Sequence, residues 1–248
     1  MPSTADRSAG RGPGPRMSGG RQHGRIDPSH LASVGERRPP GGAIFEMHAH
    51  CSDRSLDSGV RVDVLVAQAA WRGLDGVCLT DHNAAWDRHD LIELSERHEI
   101  HVFGGMELGT DAGHVLVFGL DRYHPELLVL ERLRRVVESE AAAMVLAHPM
   151  RPFHGVRPGP NDFAQWFEGI EVINGDHSDS EHGYLAREAK RLALACVGGS
   201  DAHSKEAVGR IGTVFPGPVR AIEQIVGFLR EGTTDAVDFR PRGAAPAK

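Results

Sequence analysis

Cysteine and long apolar runs are scarce in this 248-residue chain, and its 28 basic residues are outnumbered by 34 acidic ones. The three cysteines, Cys51, Cys78 and Cys196, form no CxxC motif, and two of them lie in apolar segments. This usage favours buried free thiols and a reducing compartment. No segment approaches the ~20 apolar residues of a membrane helix, and no apolar core of a secretory signal stands near residue 1. We therefore expect a cytoplasmic protein with no membrane partner.

The positive charge is concentrated in the first 42 residues, where seven arginines and three acidic residues give a net charge of +4. The formal net charge of the whole chain is −6, so the remaining residues carry −10. A nucleic-acid-binding domain needs a basic face, so we expect no duplex nucleic-acid partner. A small phosphorylated substrate held by metal ions and one or two arginines fits this charge balance.

The composition divides the chain into three parts. Residues 1–42 are rich in Gly, Pro, Arg and Ser and have almost no aliphatic pattern, which predicts a disordered tail. Met17 and Met47 leave open whether this tail belongs to the mature protein. Between residues 43–231, short apolar runs alternate with amphipathic segments, as is typical of repeated βα units in a parallel sheet or barrel. Residues 232–248 are predicted to form a flexible C-terminal tail.

The alternation also gives the predicted elements. Strands are expected near 44–48, 76–80, 101–107, 115–119, 143–147, 170–173, 194–198 and 211–215, and helices over 62–72, 87–98, 124–140, 179–192 and 218–230.

Several of these strands end in side chains that bind metal ions. The carboxyl ends of strands in an α/β barrel meet on one side, so such residues can converge there. Two histidines separated by one residue (the pattern HxH) project their imidazoles to the same face of a strand. Imidazole and carboxylate ligands together suit Zn, Mn or Fe. The endings are His48 and His50 after AIFEM, His82 after GVCLTD, Glu107 after HVFGGM, His148 after AMVLA, and Asp201 and His203 after ALACVGGS.

The order of these motifs resembles that of the PHP (polymerase and histidinol phosphatase) domain family. HxH, TDH, a Glu after a strand, GH, AHP and GSDAH follow one another in that family, and the similarity extends over residues 43–231. The resemblance implies an α/β fold, a distorted (β/α)7 barrel with the metal site at the C-terminal ends of its strands. It also implies two or three divalent ions (Zn, Mn or Fe) and hydrolysis of phosphoesters.

The resemblance further implies three groups of metal ligands. His48, His50, Glu107 and Asp201 match one group; His82, His203 and a loop aspartate match a second; Glu107, His114 and His148 match a third.

The loop aspartate departs from the family's usual HxHxxxSDG, in which it stands five residues after the second histidine. Here Asp53 follows His50 by three residues and Asp57 follows it by seven. Counting forward from His50 favours Asp53, and counting back from the next helix favours Asp57. We predict Asp57 as the ligand. We also predict that Asp81 orients a ligating imidazole.

A phosphorylated substrate also needs cationic or hydrogen-bonding groups beyond the metals. Arg151 follows the AHP motif by two residues, so we predict that it lies at the mouth of the barrel and holds the phosphate, with His154 nearby. Asp201 and His203 are counted as catalytic as well as metal-binding. Weaker candidates for phosphate binding are Arg88, Arg157 and Lys205. Asn174 either faces the site or forms a turn.

We therefore expect a metal-dependent phosphoesterase that hydrolyses a small phosphorylated metabolite, nucleotide or short oligonucleotide through a metal-bridged hydroxide. Two alternatives stay open. One is a metal-dependent hydrolase of a non-phosphate ester, lactone or amide, and the other is a non-catalytic, metal-bearing regulatory module.

Overall fold

The structure is a computed structural model and describes residues 28–152 and 158–240, with side chains from residue 33 onward. Within these ranges, nine strands form one sheet. The strands are β1 (Ala43–Ala49), β2 (Gly76–Leu79), β3 (His101–Thr110), β4 (Gly113–Phe118), β5 (Ala143–Leu146), β6 (Gly169–Asn174), β7 (Ala195–Gly199), β8 (Ile211–Phe215) and β9 (Asp235–Asp238).

The helices pack around this sheet. They are α1 (Pro28–Arg37), α2 (Val62–Trp71), α3 (Arg88–His98), α4 (Leu130–Ser139), α5 (Phe163–Trp166), α6 (Asp179–Leu192) and α7 (Ile222–Glu231), with 3₁₀ turns at Pro125–Leu128 and Pro160–Asp162. None of the described helices combines the length and apolarity needed to cross a bilayer.

The strand order is β7-β6-β5-β4-β3-β2-β1-β8-β9. The α/β barrel prediction is confirmed, because the sheet curls until β7 approaches β1. Ala49, the last residue of β1, forms a bridge with Ala202, which lies just after β7. The repeat is not uniform. A tight turn instead of a helix joins β3 to β4, so β4 runs antiparallel to both β3 and β5. Strand β8 is likewise antiparallel to β1 and β9.

Aromatic and aliphatic side chains fill the barrel. Phe45, Phe118 and Phe215 are fully buried there and contact residues from opposite sides of the sheet. A second cluster packs α2 and α3 against the outer face of β1 and β2, and a third packs α4 and α6 against β4, β5 and β6. Strands buried on both faces read as continuous apolar runs, which is why the sequence locates them well.

Two buried polar side chains close the seam of the barrel. Thr213 Oγ1 on β8 accepts from Gly198 N and donates to Gly198 O, both at 2.9 Å. The Glu46 carboxylate on β1 accepts from Ser200 N and Gly209 N, also at 2.9 Å. Burial raises the pKa of Glu46, although these backbone donors act in the opposite direction. The seam therefore depends on polar groups that have no access to water.

Two described elements lie outside the predicted boundaries of the domain. Helix α1 lies within the range predicted to be a disordered tail, and the Arg38 guanidinium after it donates to Asp75 and to Gly73 O. Strand β9 lies within the predicted C-terminal tail and buries Val237. Both segments are short and mostly polar, so their order comes from long-range contacts that local composition does not encode.

We expect Thr213→Val to lower the free energy of unfolding by about 2 kcal/mol, because it leaves the buried N–H and C=O of Gly198 without their partner. Urea denaturation measures this difference. The exposed Thr233→Val is the matched control and should stay within about 0.5 kcal/mol of the wild type. Equal effects of the two substitutions would show that the seam does not depend on Thr213.

Candidate metal centre

Four buried side chains from three strands converge at the carboxyl end of the barrel. His48 and His50 come from the end of β1, Glu107 from β3, and Asp201 from the turn after β7. His48 Nε2 lies 3.4 Å from Asp201 Oδ1 and 3.5 Å from Glu107 Oε2. His50 Nε2 lies 3.2 Å and 3.3 Å from the same two atoms. We call this set the first group.

The four facing atoms of the first group have no hydrogen-bond partner within the described residues, although they lie at ion-pair distance from one another. A buried polar atom without a partner is costly, and four such atoms pointing at one space is a rare arrangement. Two imidazole nitrogens and two carboxylate oxygens form a donor set suited to a divalent transition ion. The first group therefore fits a metal ion.

A second group lies toward the surface. His50, His82 and His203 bring one ring nitrogen each into a common space, and the His50 ring stacks at 4.3 Å and 4.4 Å from the other two rings. Asp57 Oδ2 lies 3.0 Å from His82 Nε2 and 3.3 Å from His203 Nε2. Asp53 instead accepts from Val62 N at the start of α2. The structure thus brings Asp57 to the second group and keeps Asp53 away from it.

A third group shares Glu107 with the first. Glu107 Oε1 lies 2.7 Å from His114 Nδ1 on β4 and 2.8 Å from His148 Nε2 after β5. His82 Nδ1 approaches the other oxygen, Oε2, at 3.0 Å. The single carboxylate of Glu107 therefore touches all three groups. All nine side chains predicted as metal ligands lie in this cluster.

The comparisons with known proteins support the fold. The PHP_C family model, described as PHP-associated, matches residues 184–234. A two-domain protein from Bacteroides vulgatus, titled as containing a predicted PHP-like metal-dependent phosphoesterase, is 21% identical with a TM-score of 0.64, over 81% of this chain and 66% of that chain. The family model therefore covers only part of the chain, and the similarity to the solved structure shows that the two proteins share a fold.

Two further proteins are similar to this chain, one in structure and one in sequence. An amidohydrolase from Chromobacterium violaceum, with bound sulfate and no metal, is 17% identical with a TM-score of 0.57, over 79% of this chain and 98% of that chain. An uncharacterised protein of Methanocaldococcus jannaschii is 25% identical over 108 residues, which is 44% of this chain and 63% of that protein. The match to that curated relative thus spans less than two thirds of its length.

A buried glutamate on β6, Glu171, contacts His48 and the backbone of His148 and so holds two candidate ligands in place. Glu171 Oε1 lies 2.9 Å from His48 Nδ1, and Oε2 accepts from His148 N at 2.7 Å and from Asn174 Nδ2 at 2.9 Å. A carboxylate on Nδ1 fixes the tautomer that turns the Nε2 lone pair of His48 toward the first group. Asn174 also accepts from Asp176 N, so it serves both the site and a turn.

The sequence analysis did not predict Glu171 or Glu46 as part of the site, although the sequence around each is unusual. Each is an acidic residue in the middle of an otherwise apolar strand, in GIEVIN and AIFEMHAH. A charged side chain in a strand buried on both faces needs a specific partner, which marks such a residue as part of a polar network.

Asp81 does not orient an imidazole directly, which differs from the prediction. Its buried carboxylate accepts from Cys51 N at 2.8 Å, Ser55 Oγ at 2.7 Å and Trp86 Nε1 at 2.7 Å. It thereby shapes the loop that carries the second group. Burial and the nearby Asp81 charge raise the pKa of Cys51 to about 12, so this thiol stays protonated.

Two of the ligands have a left-handed backbone. His148 has φ of 24° and Asp201 has φ of 49°, and neither is glycine. Such conformations cost energy and occur where the surrounding structure fixes them, often at functional sites. Gly199 precedes the second of these turns, and a Cβ at this position would lie 2.4 Å from His48 Cβ. Only glycine lets β7 approach β1 this closely.

Arg151 lies at the edge of the cluster. Its Nη2 donates to Asp201 Oδ2 and, at 2.6 Å, to Asp176 Oδ2, while Nη1 lies 3.3 Å from His148 Nε2. Two other predicted phosphate-binding residues, His154 and Arg157, lie outside the described residues. Arg88 lines an outer groove beside α3 instead of the ligand cluster. Lys205 is exposed in the loop after His203.

Burial and neighbouring charges have opposite effects on the pKa values of the side chains in the first group. Burial lowers the pKa of His48, but the carboxylates of Glu171, Asp201 and Glu107 together raise it well above its usual value. Burial raises the pKa of Glu107 and of Asp201, but the imidazoles around them lower both values well below the usual range. The carboxylates are therefore charged, and protons held on the imidazoles compete with a cation for the same nitrogens.

We expect metal affinity to fall as the pH falls, by about tenfold per pH unit for each proton that the ion displaces. Because the pKa values of His48 and His50 are raised, this competition begins at a higher pH than it would for ordinary histidines. Equilibrium dialysis against Mn²⁺ between about pH 8 and pH 6 measures it. An affinity independent of pH would contradict the assignment of imidazole ligands.

We expect Glu107→Gln to remove at least one bound ion per chain, because an amide cannot supply the charge that the three groups share. Elemental analysis after gel filtration measures the loss. Glu93→Gln is the matched control, since Glu93 is exposed on α3 and pairs with His89 and Arg97. Full metal content in the Glu107 variant would contradict its central position.

Proposed function

We propose that this protein is a metal-dependent phosphoesterase that acts on a small phosphorylated metabolite, a nucleotide or a short oligonucleotide. The observation that carries the proposal is the guanidinium of Arg151 at the edge of three overlapping groups of metal ligands. A cation anchored beside a polynuclear centre is an arrangement that suits a tetrahedral anion.

The residues that would hold the ions are the members of the three groups. Divalent ions in such a centre supply Lewis-acid charge and a nucleophile at neutral pH. The protein holds the ligands in place: Glu171 fixes His48, while Ser55 donates to Asp81 and accepts from His82 N. Preorganised ligands avoid rearrangement during the reaction, which is a large part of how such sites accelerate hydrolysis.

Arg151 would bind two oxygens of the phosphate. Its guanidinium presents parallel N–H donors, which match phosphate better than a lysine ammonium does. Asp176 and Asp201 hold it in orientation before a substrate arrives. Burial lowers the pKa of Arg151, but the two carboxylates raise it above its usual value, so it keeps its charge. His154 remains a prediction for the same task.

The size of the substrate follows from the charge around the centre. The exposed rim carries two carboxylates, Asp57 beside His82 and Asp176 beside Arg151, so the mouth is not a basic surface. A long duplex would meet these carboxylates without compensating cations, whereas a single phosphate needs only the metals and one arginine. The sulfate bound by the Chromobacterium violaceum neighbour, a tetrahedral dianion, supports an anionic substrate in this fold.

A second candidate is hydrolysis of an amide, a lactone or a non-phosphate ester. The observation that favours it is the name amidohydrolase of the same neighbour. The same ligand groups would serve that reaction, because a carbonyl also needs Lewis-acid polarisation. It leaves Arg151 without a phosphate to bind, which is why we place it second.

We expect the metal-loaded protein to hydrolyse at least one member of a panel of phosphomonoesters, phosphodiesters and cyclic nucleotides. The double substitution His48→Ala and His50→Ala should lower kcat/KM by about a thousandfold or more. Arg151→Gln should lower kcat/KM by about ten- to a hundredfold, mainly through KM. Steady-state kinetics of phosphate release measures both effects.

The matched controls are His89→Ala and Arg122→Gln, because both side chains are strongly exposed and lie outside the three groups. They should keep wild-type kinetics. Full activity in the double histidine variant would refute the mechanism. Turnover of amides or lactones without turnover of any phosphoester would instead favour the second candidate.

A further inference from the structure

The first and third ligand groups differ in how far their ligand atoms are already paired within the protein. In the first group, the four facing atoms have no hydrogen-bond partner among the described residues. In the third group, the facing atoms already satisfy one another, because His114 Nδ1 and His148 Nε2 both pair with Glu107 Oε1. An ion in the third group would have to replace these contacts. Its net binding free energy would therefore be less favourable than that of an ion in the first group.

The imidazoles of the two groups also differ in their support. The ring nitrogen of His48 that faces away from the first group pairs with Glu171 at 2.9 Å. The corresponding atom of His148, Nδ1, is buried and has no partner in the described part of the chain. A ligating imidazole normally donates its other N–H to an acceptor, which fixes its orientation and strengthens its basicity. His148 lacks this support.

A fixed positive charge adjoins the third group. Arg151 Nη1 lies 3.3 Å from His148 Nε2, the atom that would ligate an ion there. Asp176 and Asp201 anchor the other terminal nitrogen of the guanidinium, Nη2. The same His148 nitrogen cannot face a guanidinium and a divalent ion together, because the two cations repel strongly at this separation.

We propose that the Arg151 guanidinium competes with the ion of the third group, so that the protein binds that ion much more weakly than the ion of the first group. The inference rests on the metal centre of the proposed function but not on the identity of its substrate. Arg151 would have to turn away from His148 before an ion could bind to the third group.

The proposal couples the third ion to the substrate. An anion that draws the Arg151 guanidinium toward itself frees His148 Nε2, so anion binding strengthens ion binding at the third group. The coupling is reciprocal, because linkage requires the ion to strengthen anion binding by the same factor. Arg151 is thus a positioning residue for the third ion in addition to its proposed contact with the substrate.

The experiment is a titration of the full chain with Mn²⁺, which detects binding without any substrate. Equilibrium dialysis with elemental analysis gives the number of ions and each dissociation constant. We expect at least one tight ion and one weak ion in the wild type. In Arg151→Gln we expect the weakest dissociation constant to fall by about tenfold or more, with the tight ion unchanged. Arg151→Lys keeps the charge and should stay near the wild type.

The matched control is Arg122→Gln, which removes the same charge from an exposed position. It should not change any dissociation constant, so a general charge effect is separated from the local one. Circular dichroism checks that the variants fold, and if Arg151→Gln does not fold, Arg151→Met tests the same loss of charge. Equal weakest constants in the wild type and in a folded charge-removing variant would overturn the proposal.

These outcomes are distinct from a failure of the proposed function. A protein that binds Mn²⁺ as expected but hydrolyses no phosphoester would leave the inference intact and remove the substrate assignment. A protein that takes up no ion at any site would overturn both.

Discussion

The metal centre depends on one carboxylate. Glu107 faces His48 and His50 through Oε2, and His114 and His148 through Oε1. It is buried, so its charge acts over short distances with little screening by solvent. Strands β1 and β4 and the segments after β2 and β5 all direct an imidazole toward this residue. The barrel can therefore be described as a scaffold that brings basic side chains to one buried anion.

The sequence predicted most of the fold because its strands are buried on both faces and appear as uninterrupted apolar runs. It was less informative where the connections change. The prediction of uniform βα repeats overlooked the short spacing between β3 and β4, which leaves no room for a crossover helix and favours a hairpin. Helix α1 and strand β9 carry few apolar residues, and contacts such as those of Arg38 with Asp75 and Gly73 hold them in place.

The candidate site was recoverable from the sequence because ligands follow strands at fixed offsets. The supporting residues were not, since the partner of each lies far along the chain. Asp81 shows the difficulty: it stands beside His82, yet its contacts are Cys51, Ser55 and Trp86. Asp53 and Asp57 could not be separated by counting, because both positions are compatible with the loop length. Only the path of the loop, pinned by Ser55 and Ser58, decides which of them faces the histidines.

The seam between β1 and β7 has a consequence for the order in which the protein matures. Glu46 on the first strand finds its partners Ser200 and Gly209 more than 150 residues later in the chain. His48 and His50 likewise belong to a group that is incomplete until Asp201 has been synthesised. On the ribosome, the early histidines emerge long before the acid that completes their group. A nascent chain that lacks Asp201 would therefore hold an incomplete first group, and an ion that needs all four side chains could bind only after the barrel has closed.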